Sequence, residues 1–395
     1  MLQIKEEKMK QGFSTQGMPD ICGLQLATYA ESLRELAKSF EKDKPAEQIG
    51  RQALFEEERQ KENCDVIAGH LTELAQIMEQ TAEEMASLEP LEEKIWKKMS
   101  RGLREQGIHL EGACVLPQNR QGRRLSLNLR AEPAAGVSIE KAEEVLQRVL
   151  GKKYCVSLSS PERIHREREL FLFVEQPRYM AFTGFARVIK GREEISGDNY
   201  SMIQSECGKL TMLLSDGTGS GQQACEGSGW VLDLMERLLE AGYGMDTAAR
   251  LVNAAILTKG DEMGHPTLDL CQVDLQKGCC GFCKVGGAVS FCKRGEEVEQ
   301  IDGGRLPLGI FPDLEPHRSF LRLGEGESLF MMTDGVLEAF REKGYEEAVR
   351  NAIAGMEESS PREMAEKLMQ LAIFASEGNV RDDMTILTAT LWKAP

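Results

Sequence analysis

Two short stretches of the chain share one order: an apolar run of strand length, then a hydroxyl residue, an aspartate and a glycine. They read LLSDG at residues 213–217 and MMTDG at residues 331–335. An aspartate at the end of a buried strand stands on a rigid element and can direct its carboxylate out of the core. The glycine lets the backbone approach closely, so that its carbonyl can act as a further oxygen ligand. The repeat therefore predicts two acidic strand ends.

Two further acidic sites frame this pair, Asp198 in SGDN upstream and Asp382-Asp383 in RDDMT downstream. Each Asp-Gly pair taken alone is an ordinary turn signal. Carboxylates that converge from several strand ends, however, make the all-oxygen cage that a hard divalent cation such as Mg²⁺ or Mn²⁺ prefers. Four acidic sites, two of which share the same residue order, favour a metal site over four unrelated turns.

The order and content of these motifs resemble the metal-dependent PPM-type protein phosphatases (the type 2C class), and within them the sporulation phosphatases. The resemblance covers roughly residues 168 to 392. It is carried by six stretches in the expected order: SGDNYS at 196–201, LSDGTGSG at 214–221, SF-KRG at 290–295, LPLGI at 306–310, MTDG at 332–335 and DDMT at 382–385. One departure is Thr218, where the sporulation phosphatases usually carry methionine between the two glycines.

The resemblance implies a site for two Mn²⁺ or Mg²⁺ ions, with Asp216 bridging them and the carbonyl of Gly217 on one. It implies that Asp334 and Asp382 complete the other ion and that Asp198 holds a metal-bound water. Asp383 is the less certain member of its pair, since related enzymes often have asparagine there. The predicted catalytic residues are Asp198, Asp216, Asp334 and Asp382. The predicted metal ligands are Asp198, Asp216, Gly217, Asp334, Asp382 and Asp383.

The function that the resemblance implies is hydrolysis of phosphoserine or phosphothreonine on a partner protein, by a water that the two ions activate. The implied substrate is a phosphorylated anti-sigma-factor antagonist in sporulation control. The alternative is a catalytically degenerate phosphatase fold that acts as an oligomerising scaffold. The intact acidic sites argue against that alternative, because degenerate enzymes usually lose one of them.

Composition limits the other functions. The formal net charge of −16 argues against nucleic acid as a partner, because phosphate binding needs clustered Lys and Arg. Eleven cysteines without a signal peptide fit a reducing cytosol. The chain has no apolar run long enough to span a membrane. A cytoplasmic protein is expected, associated with a membrane only through a missing N-terminal membrane region or a partner.

The cysteine cluster at residues 279–283 (CCGFC) raises a zinc hypothesis, because Cys280 and Cys283 have C-x-x-C spacing. The segment alternates as sheet strands do, and no second C-x-x-C follows. Free cysteine also packs well as a small apolar residue. Buried strands are therefore the preferred interpretation.

Residues 1–110 are predicted to be a helical regulatory or oligomerisation segment. Apolar residues from Ile67 to Leu88 fall at heptad spacing, which is typical of a helical hairpin or short coiled coil. A second amphipathic helix is expected from Leu91 to Leu103. These helices could serve self-association or form a plain helical subdomain. His70, on the heptad seam, is expected to be a solvated flank.

Residues 111–167 are predicted to form a small α+β module. Leu125, Leu127 and Leu129 alternate with polar residues as in a half-buried strand, and Ser138 is expected to cap the helix that follows. The charged stretch 163–169 is expected to be a linker. The resemblance implies that this region carries regulatory and self-association functions, with a cell-division protein as a further candidate partner.

Residues 168–395 are predicted to be the phosphatase domain, so the fold class is α+β: a PPM-type β-sandwich flanked by helices, after a helical and small α/β region. The first two strands, 171–175 and 179–190, are predicted to form a hairpin through Gln176-Pro177. Ser360, Pro361 and Glu363 predict a helix start with a capping box.

The glycine-rich loop at residues 217–221 (GTGSG) lacks the lysine of a phosphate-binding P-loop. It is expected either to make a tight turn or to be a flexible joint between the metal strand and a mobile helix. His265 is expected to lie at the surface or a strand edge. No histidine neighbours the acidic motifs in the sequence, so a histidine general acid is not expected.

Overall fold

The structure is a computed structural model that divides into two compact units, Met1–Gln176 and Pro177–Pro395. It describes residues 18–40, parts of 68–83, 89–116, 124–157, 160–191, 193–205, 208–219, 221–259, 263–340, 344–357 and 359–394. His70 and much of the predicted heptad seam lie outside the described residues.

The helices of the first unit include α1 (Met18–Phe40), α2 (Glu93–Glu105) and α3 (Glu140–Leu150). Its strands are β1 (Glu89–Pro90), β2 (Ile108–Leu116), β3 (Arg124–Ala131), β4 (Val137–Ser138), β5 (Tyr154–Val156), β6 (Arg163–Ile164) and β7 (Glu169–Glu175). Five of them form an antiparallel sheet in the order β1-β2-β3-β7-β5, and β4 pairs with β6. This unit is therefore an α+β module around one sheet.

The apolar periodicity of the first unit is confirmed by burial. Leu125, Leu127 and Leu129 of β3 are at most 1 % exposed, as are Met99 and Leu103 of α2. These residues share one core with the inner faces of α3 and β7. The regular alternation therefore predicted both the strand and its buried face.

Two details of the first unit differ from the sequence prediction. Ser138 does not cap α3: the residue before the helix is Ile139, and no side chain caps it. Ser138 pairs in β4 instead. The charged stretch at 163–169 contains β6, whose Ile164 is fully buried, so it is not an open linker. In both places a short strand pair uses backbone groups that the local sequence assigned to a cap or a loop.

The second unit is a sandwich of two antiparallel five-stranded sheets, which confirms the predicted fold class. One sheet has the order β15-β12-β11-β10-β9 and the other β14-β13-β16-β17-β8. The strands are β8 (Tyr179–Val188), β9 (Asp198–Ser205), β10 (Lys209–Asp216), β11 (Leu268–Asp274), β12 (Cys279–Val285), β13 (Ser290–Arg294), β14 (Glu297–Ile301), β15 (His317–Arg322), β16 (Ser328–Met332) and β17 (Met384–Lys393). Side chains of both sheets meet in a buried apolar layer.

Helices cover the outer faces of the sandwich. They are α4 (Gly221–Glu240), α5 (Met245–Lys259), α6 (Asp334–Ala339), α7 (Tyr345–Ala354) and α8 (Pro361–Ala375). The first two share a core with β10 and β11, and the last three share a core with β13, β16 and β17. The predicted capping box of α8 is confirmed, with Ser360 accepting a hydrogen bond from the Glu363 amide.

The predicted hairpin between residues 171–175 and 179–190 is wrong. Strand β7 pairs with β3 and β5 in the first unit, whereas β8 pairs with β17 in the second. The chain passes from one unit to the other at Gln176-Pro177. Proline has no amide donor and ends the ladder of β7, which the sequence could not distinguish from a hairpin turn.

The cysteines of residues 279–283 lie in β12, as the strand interpretation predicted. Cys280 packs between the two sheets and Cys283 packs under the helices, on the opposite face. Residues three apart on a strand point to opposite faces, so this C-x-x-C pair is not placed to chelate one zinc ion. Among the helices of the described residues, none is long and apolar enough to cross a membrane.

Candidate metal centre

The four acidic motifs meet at one edge of the sandwich. Asp198 begins β9 and pairs with Asp216, which ends the neighbouring β10. From the other sheet, the Thr333 and Thr385 hydroxyls donate to the same oxygen of the Asp198 carboxylate, at 3.0 and 2.7 Å. Thr333 follows β16 and directly precedes Asp334, and Thr385 lies in β17 just after Asp383. Both sheets thus contribute to one acidic cluster.

Asp198 is the deepest member of the cluster, at 1 % exposure. Burial raises its pKa to about 6, although the hydrogen bonds from Thr385 and Thr333 act to lower it. Those bonds use Oδ2. The other oxygen, Oδ1, is buried and accepts no hydrogen bond within the described part of the chain. A buried carboxylate oxygen without a donor costs free energy, so this atom is suited to a ligand supplied from outside the chain.

Asp216 combines burial with repulsion from its neighbours in the cluster. Burial, and then the charges of Asp198, Asp334 and Asp382, raise its pKa to about 9. Burial and Asp382 also raise the pKa of Asp334. Carboxyls with pKa values raised by each other's charge are a frequent property of sites that hold cations.

Asp216 is held in place by Thr267, which is not among the predicted site residues. The Thr267 hydroxyl accepts a hydrogen bond from the Asp216 amide at 2.9 Å, and the Thr267 amide donates to the Asp216 carbonyl at 2.8 Å. The Thr267 carbonyl accepts from the Ser215 hydroxyl at 2.6 Å. These three hydrogen bonds to one residue fix the end of β10. Thr267 lies beside Asp216 because of the register between β10 and the segment that leads into β11, and a local motif does not reveal that register.

Asp382 and Asp383 have different surroundings. The carboxylate of Asp383 is buried and accepts hydrogen bonds from the amides of Lys190 at 2.8 Å and Gly197 at 2.6 Å. Asp382 is 43 % exposed at its side chain and contacts the ammonium of Lys190 at 3.3 Å. Asp383 is already occupied with holding the loop before Asp198, whereas Asp382 retains free acceptor capacity. Of the two, the geometry favours Asp382 as a ligand.

Gly217 lies where no other residue fits. A Cβ at this position would come within 2.1 Å of the Ala224 carbonyl in α4. The Gly217 amide donates to the Gly197 carbonyl at 3.2 Å, which connects it to the loop before Asp198. The residue is therefore packed directly between the acidic cluster and the first turn of α4.

The donor set of the cluster fits a hard divalent cation. It consists of carboxylates and a backbone carbonyl, and it includes one buried oxygen that lacks a donor. In the described residues no three His, Cys, Asp or Glu side chains already form a group that could hold a metal ion. The carboxylates thus share one edge and repel each other without forming a closed cage, so the individual ligand assignments remain proposals.

Among the described residues, His265 is the one histidine with a contact near this edge. Its backbone amide donates to the Thr218 hydroxyl at 2.9 Å, and its ring Nδ1 lies 3.2 Å from the Leu308 carbonyl. The histidine is thus nearer to the metal strand than sequence distance suggested. Its contact to the loop is made by the backbone, so it supports the turn after Gly217.

Two packed antiparallel sheets, flanking helices and an acidic edge define the class of PP2C-type (PPM) phosphatase domains. The fold is similar to the PP2C phosphatase domain and regulatory-domain fragment of the cell fate determinant SpoIIE from Bacillus subtilis, with a TM-score of 0.65 at 24 % identity over 88 % of this chain and 100 % of that one. Residues 206–392 match the family model for Stage II sporulation protein E (SpoIIE). This part of the chain belongs to the SpoIIE family and is a PP2C-type serine/threonine phosphatase domain.

Two curated relatives match over 214 residues, 54 % of this chain. They are the Stage II sporulation protein E of Priestia megaterium, at 34 % identity, and that of Bacillus subtilis, at 32 % identity. The matched region spans 37 % and 26 % of their respective lengths. The chain thus corresponds to well under half of either relative.

Proposed function

We propose that the second unit is a phosphatase that depends on two divalent cations, Mn²⁺ or Mg²⁺, and hydrolyses phosphoserine or phosphothreonine on a partner protein. The observation that carries the proposal is the convergence of acidic motifs from both sheets at one edge. Bound there, the two cations would supply an activated water and neutralise charge on the phosphoryl oxygens. The resemblance of the motifs to the sporulation phosphatases suggests a phosphorylated anti-sigma-factor antagonist as the substrate.

The residues of the cluster would have different roles, in metal binding or in positioning, according to where they lie. Asp216, Asp334 and Asp382, with the Gly217 carbonyl, would hold the cations. Asp198 would offer its donor-free oxygen to a ligand, while Thr333 and Thr385 fix its other oxygen. Asp383 would act by positioning, since its carboxylate binds the backbone of the loop that leads to Asp198. Helices of the first unit would serve regulation and self-association.

The direct test replaces Asp216 or Asp334 by asparagine in the full chain. Both sites stand at strand ends outside the apolar core, so each change should remove metal binding while the fold persists. We expect turnover of a phosphoprotein below about a tenth of the wild-type value at saturating Mn²⁺. Asp302→Asn, an exposed aspartate after β14, is the matched control and should keep full activity.

The same experiment distinguishes the degenerate scaffold. A scaffold would show no metal-dependent turnover in the wild type and no difference between the variants. Metal content measured on the purified protein gives an independent readout, with two Mn or Mg per chain expected. Substantial turnover by Asp216→Asn at saturating Mn²⁺ would exclude the two-metal site.

A further inference from the structure

Lys190 lies at the acidic edge, and the assignments above give its side chain no role in the reaction. Its backbone amide donates to the Asp383 carboxylate at 2.8 Å, which fixes the start of the side chain beside the cluster. Its ammonium lies 3.3 Å from Oδ1 of Asp382. The side chain is 22 % exposed, so the charge is held at the protein surface over the cluster.

Arg187 lies in β8, three residues before Lys190, and is the other cation of the described residues that contacts the cluster. Its guanidinium donates to the backbone carbonyl of Asp198 and lies over the Tyr200 ring, 5.2 Å from the centroid. It is thus engaged in structure. The Lys190 ammonium instead makes one long hydrogen bond at the end of a flexible stem, and lysine is suited to binding phosphate as a mobile point charge.

The charge distribution creates a need for such a group. A phosphomonoester dianion must approach Asp382, Asp383 and Glu193, whose charges all act on Lys190. When Asp382 is shared with a divalent cation, its attraction for the ammonium weakens. Lys190 can then donate to a phosphoryl oxygen at the open side of the cluster, since the Asp383 carboxylate already accepts from the Lys190 and Gly197 amides.

We propose that Lys190 binds the phosphoryl group of the substrate, and that its contact to Asp382 holds it in place before the substrate arrives. The inference rests on the proposed phosphatase function and extends it, because it assigns the phosphate-binding side chain. Lys190 would contact the substrate directly, whereas Asp383 orients it through the backbone.

The test compares Lys190→Met with Lys190→Arg in the full chain, and uses inorganic phosphate as the probe. Phosphate binding to the Mn²⁺-loaded protein is measured by calorimetry, and phosphate inhibition is measured with a phosphoprotein substrate. Loss of one charged hydrogen bond should weaken phosphate binding by about tenfold or more in Lys190→Met, and raise KM. Lys190→Arg, which keeps the charge, should recover most of the binding.

Lys393→Met is the matched control, because it removes the same charge from an exposed ion pair with Glu325. It should leave phosphate binding unchanged. The Mn²⁺ half-saturation concentration is measured in parallel. If Lys190→Met binds phosphate as the wild type does but alters Mn²⁺ half-saturation, Lys190 only neutralises Asp382 and the proposal is overturned.

The outcomes also separate this proposal from the function on which it rests. Suppose that the wild type binds Mn²⁺ and phosphate but cleaves no phosphoprotein. The proposed function then fails, while weaker phosphate binding by Lys190→Met still supports the assignment of Lys190. Equal phosphate binding by Lys190→Met, Lys393→Met and the wild type overturns the assignment whether or not the enzyme is active.

Discussion

At the scale of single residues, the acidic cluster combines groups that oppose one another. Asp216 and Asp334 are placed where burial and neighbouring carboxylates raise their pKa values. Such an arrangement costs stability when the groups are ionised and is useful when a cation neutralises them. Function and stability are therefore linked through the protonation of the cluster.

The sign of that linkage predicts how the metal-free protein responds to pH. The pKa of Asp216 is raised from an unfolded value of 3.8 to about 9, so between these values the folded state binds more protons than the unfolded state. Stability should therefore fall as pH rises across this range. We expect the thermal midpoint of the chelated protein to decrease from about pH 5.5 to about pH 8.5.

Saturating Mn²⁺ should flatten this decrease, because a bound cation favours the ionised carboxylates. Asp216→Asn should also reduce the slope, since it removes the group with the largest rise. Thermal midpoints at several pH values, with chelator and with Mn²⁺, provide the measurement. A chelated wild type that becomes more stable with rising pH would contradict the assignment of Asp216 as a protonated group.

The sequence pointed to these acidic residues in two ways. Asp216 and Asp334 follow apolar runs of strand length, whereas Asp198 and Asp382 lie in motifs that resemble those of the PPM-type family. Neither Thr267 nor Lys190 was among the predicted site residues. Thr267 contacts Asp216 because of the register of β10 and β11. Lys190 contacts Asp382, which lies 192 positions further along the chain. Contacts between distant segments depend on the assembled sheets, so local motifs could not identify them.

At the scale of elements, helix α4 is joined directly to the loop that carries Asp198. The Ser228 hydroxyl, fully buried in α4, donates to the Gly197 carbonyl at 2.5 Å and accepts a hydrogen bond from the side-chain amide of Asn199 at 2.9 Å. Gly217 packs against Ala224 in the same helix. A displacement of α4 would therefore disturb both Gly197 and Gly217, so we expect the position of this helix to influence metal occupancy.

Gly219→Ala, a substitution in the turn before α4, would not test that coupling cleanly. Gly219 has φ of +96°, although a Cβ there would meet no atom within 4 Å. An alanine would be strained in this conformation regardless of the open space, by about 1 kcal/mol or more. Any change in Mn²⁺ binding would then mix strain with the mobility of the turn.

Ser228→Ala tests the coupling of α4 without altering the turn. It removes the hydroxyl between Gly197 and Asn199. The Mn²⁺ concentration at half-saturation should therefore rise severalfold, and the free energy of unfolding should fall by about 1–3 kcal/mol. The control is Thr258→Ala in α5, where an exposed hydroxyl bonds the Ala255 carbonyl. Mn²⁺ titration and thermal melting provide the two readouts. Unchanged Mn²⁺ binding in Ser228→Ala would show that α4 does not affect the site.

At the scale of the whole molecule, the chain order of strands and helices predicted a sandwich with flanking helices, because apolar periodicity identifies elements and their buried faces. It did not predict which strands pair. Strands β7 and β8 are neighbours in sequence and lie in different sheets of different units. Pairing is decided by core packing over long sequence distances, which a turn signal such as Gln176-Pro177 cannot report.

The division of the chain leads to a prediction about fragments. A fragment of residues 177–395 contains both sheets of the sandwich and the acidic cluster, so it should fold and bind Mn²⁺. A fragment that begins at 168 also carries β7, whose Phe171 and Phe173 are fully buried in the core of the first unit. Without that core, these rings would be exposed on an unpaired strand, which favours aggregation.

We therefore expect the 177–395 fragment to be monodisperse, and the 168–395 fragment to aggregate more at the same concentration. Size-exclusion chromatography and Mn²⁺ titration of both fragments provide the measurement. Phe171→Ser with Phe173→Ser in the longer fragment should restore its solubility, because the exposed apolar surface is removed. An insoluble 177–395 fragment, or one that binds no Mn²⁺ while the full chain does, would show that the phosphatase domain depends on the first unit.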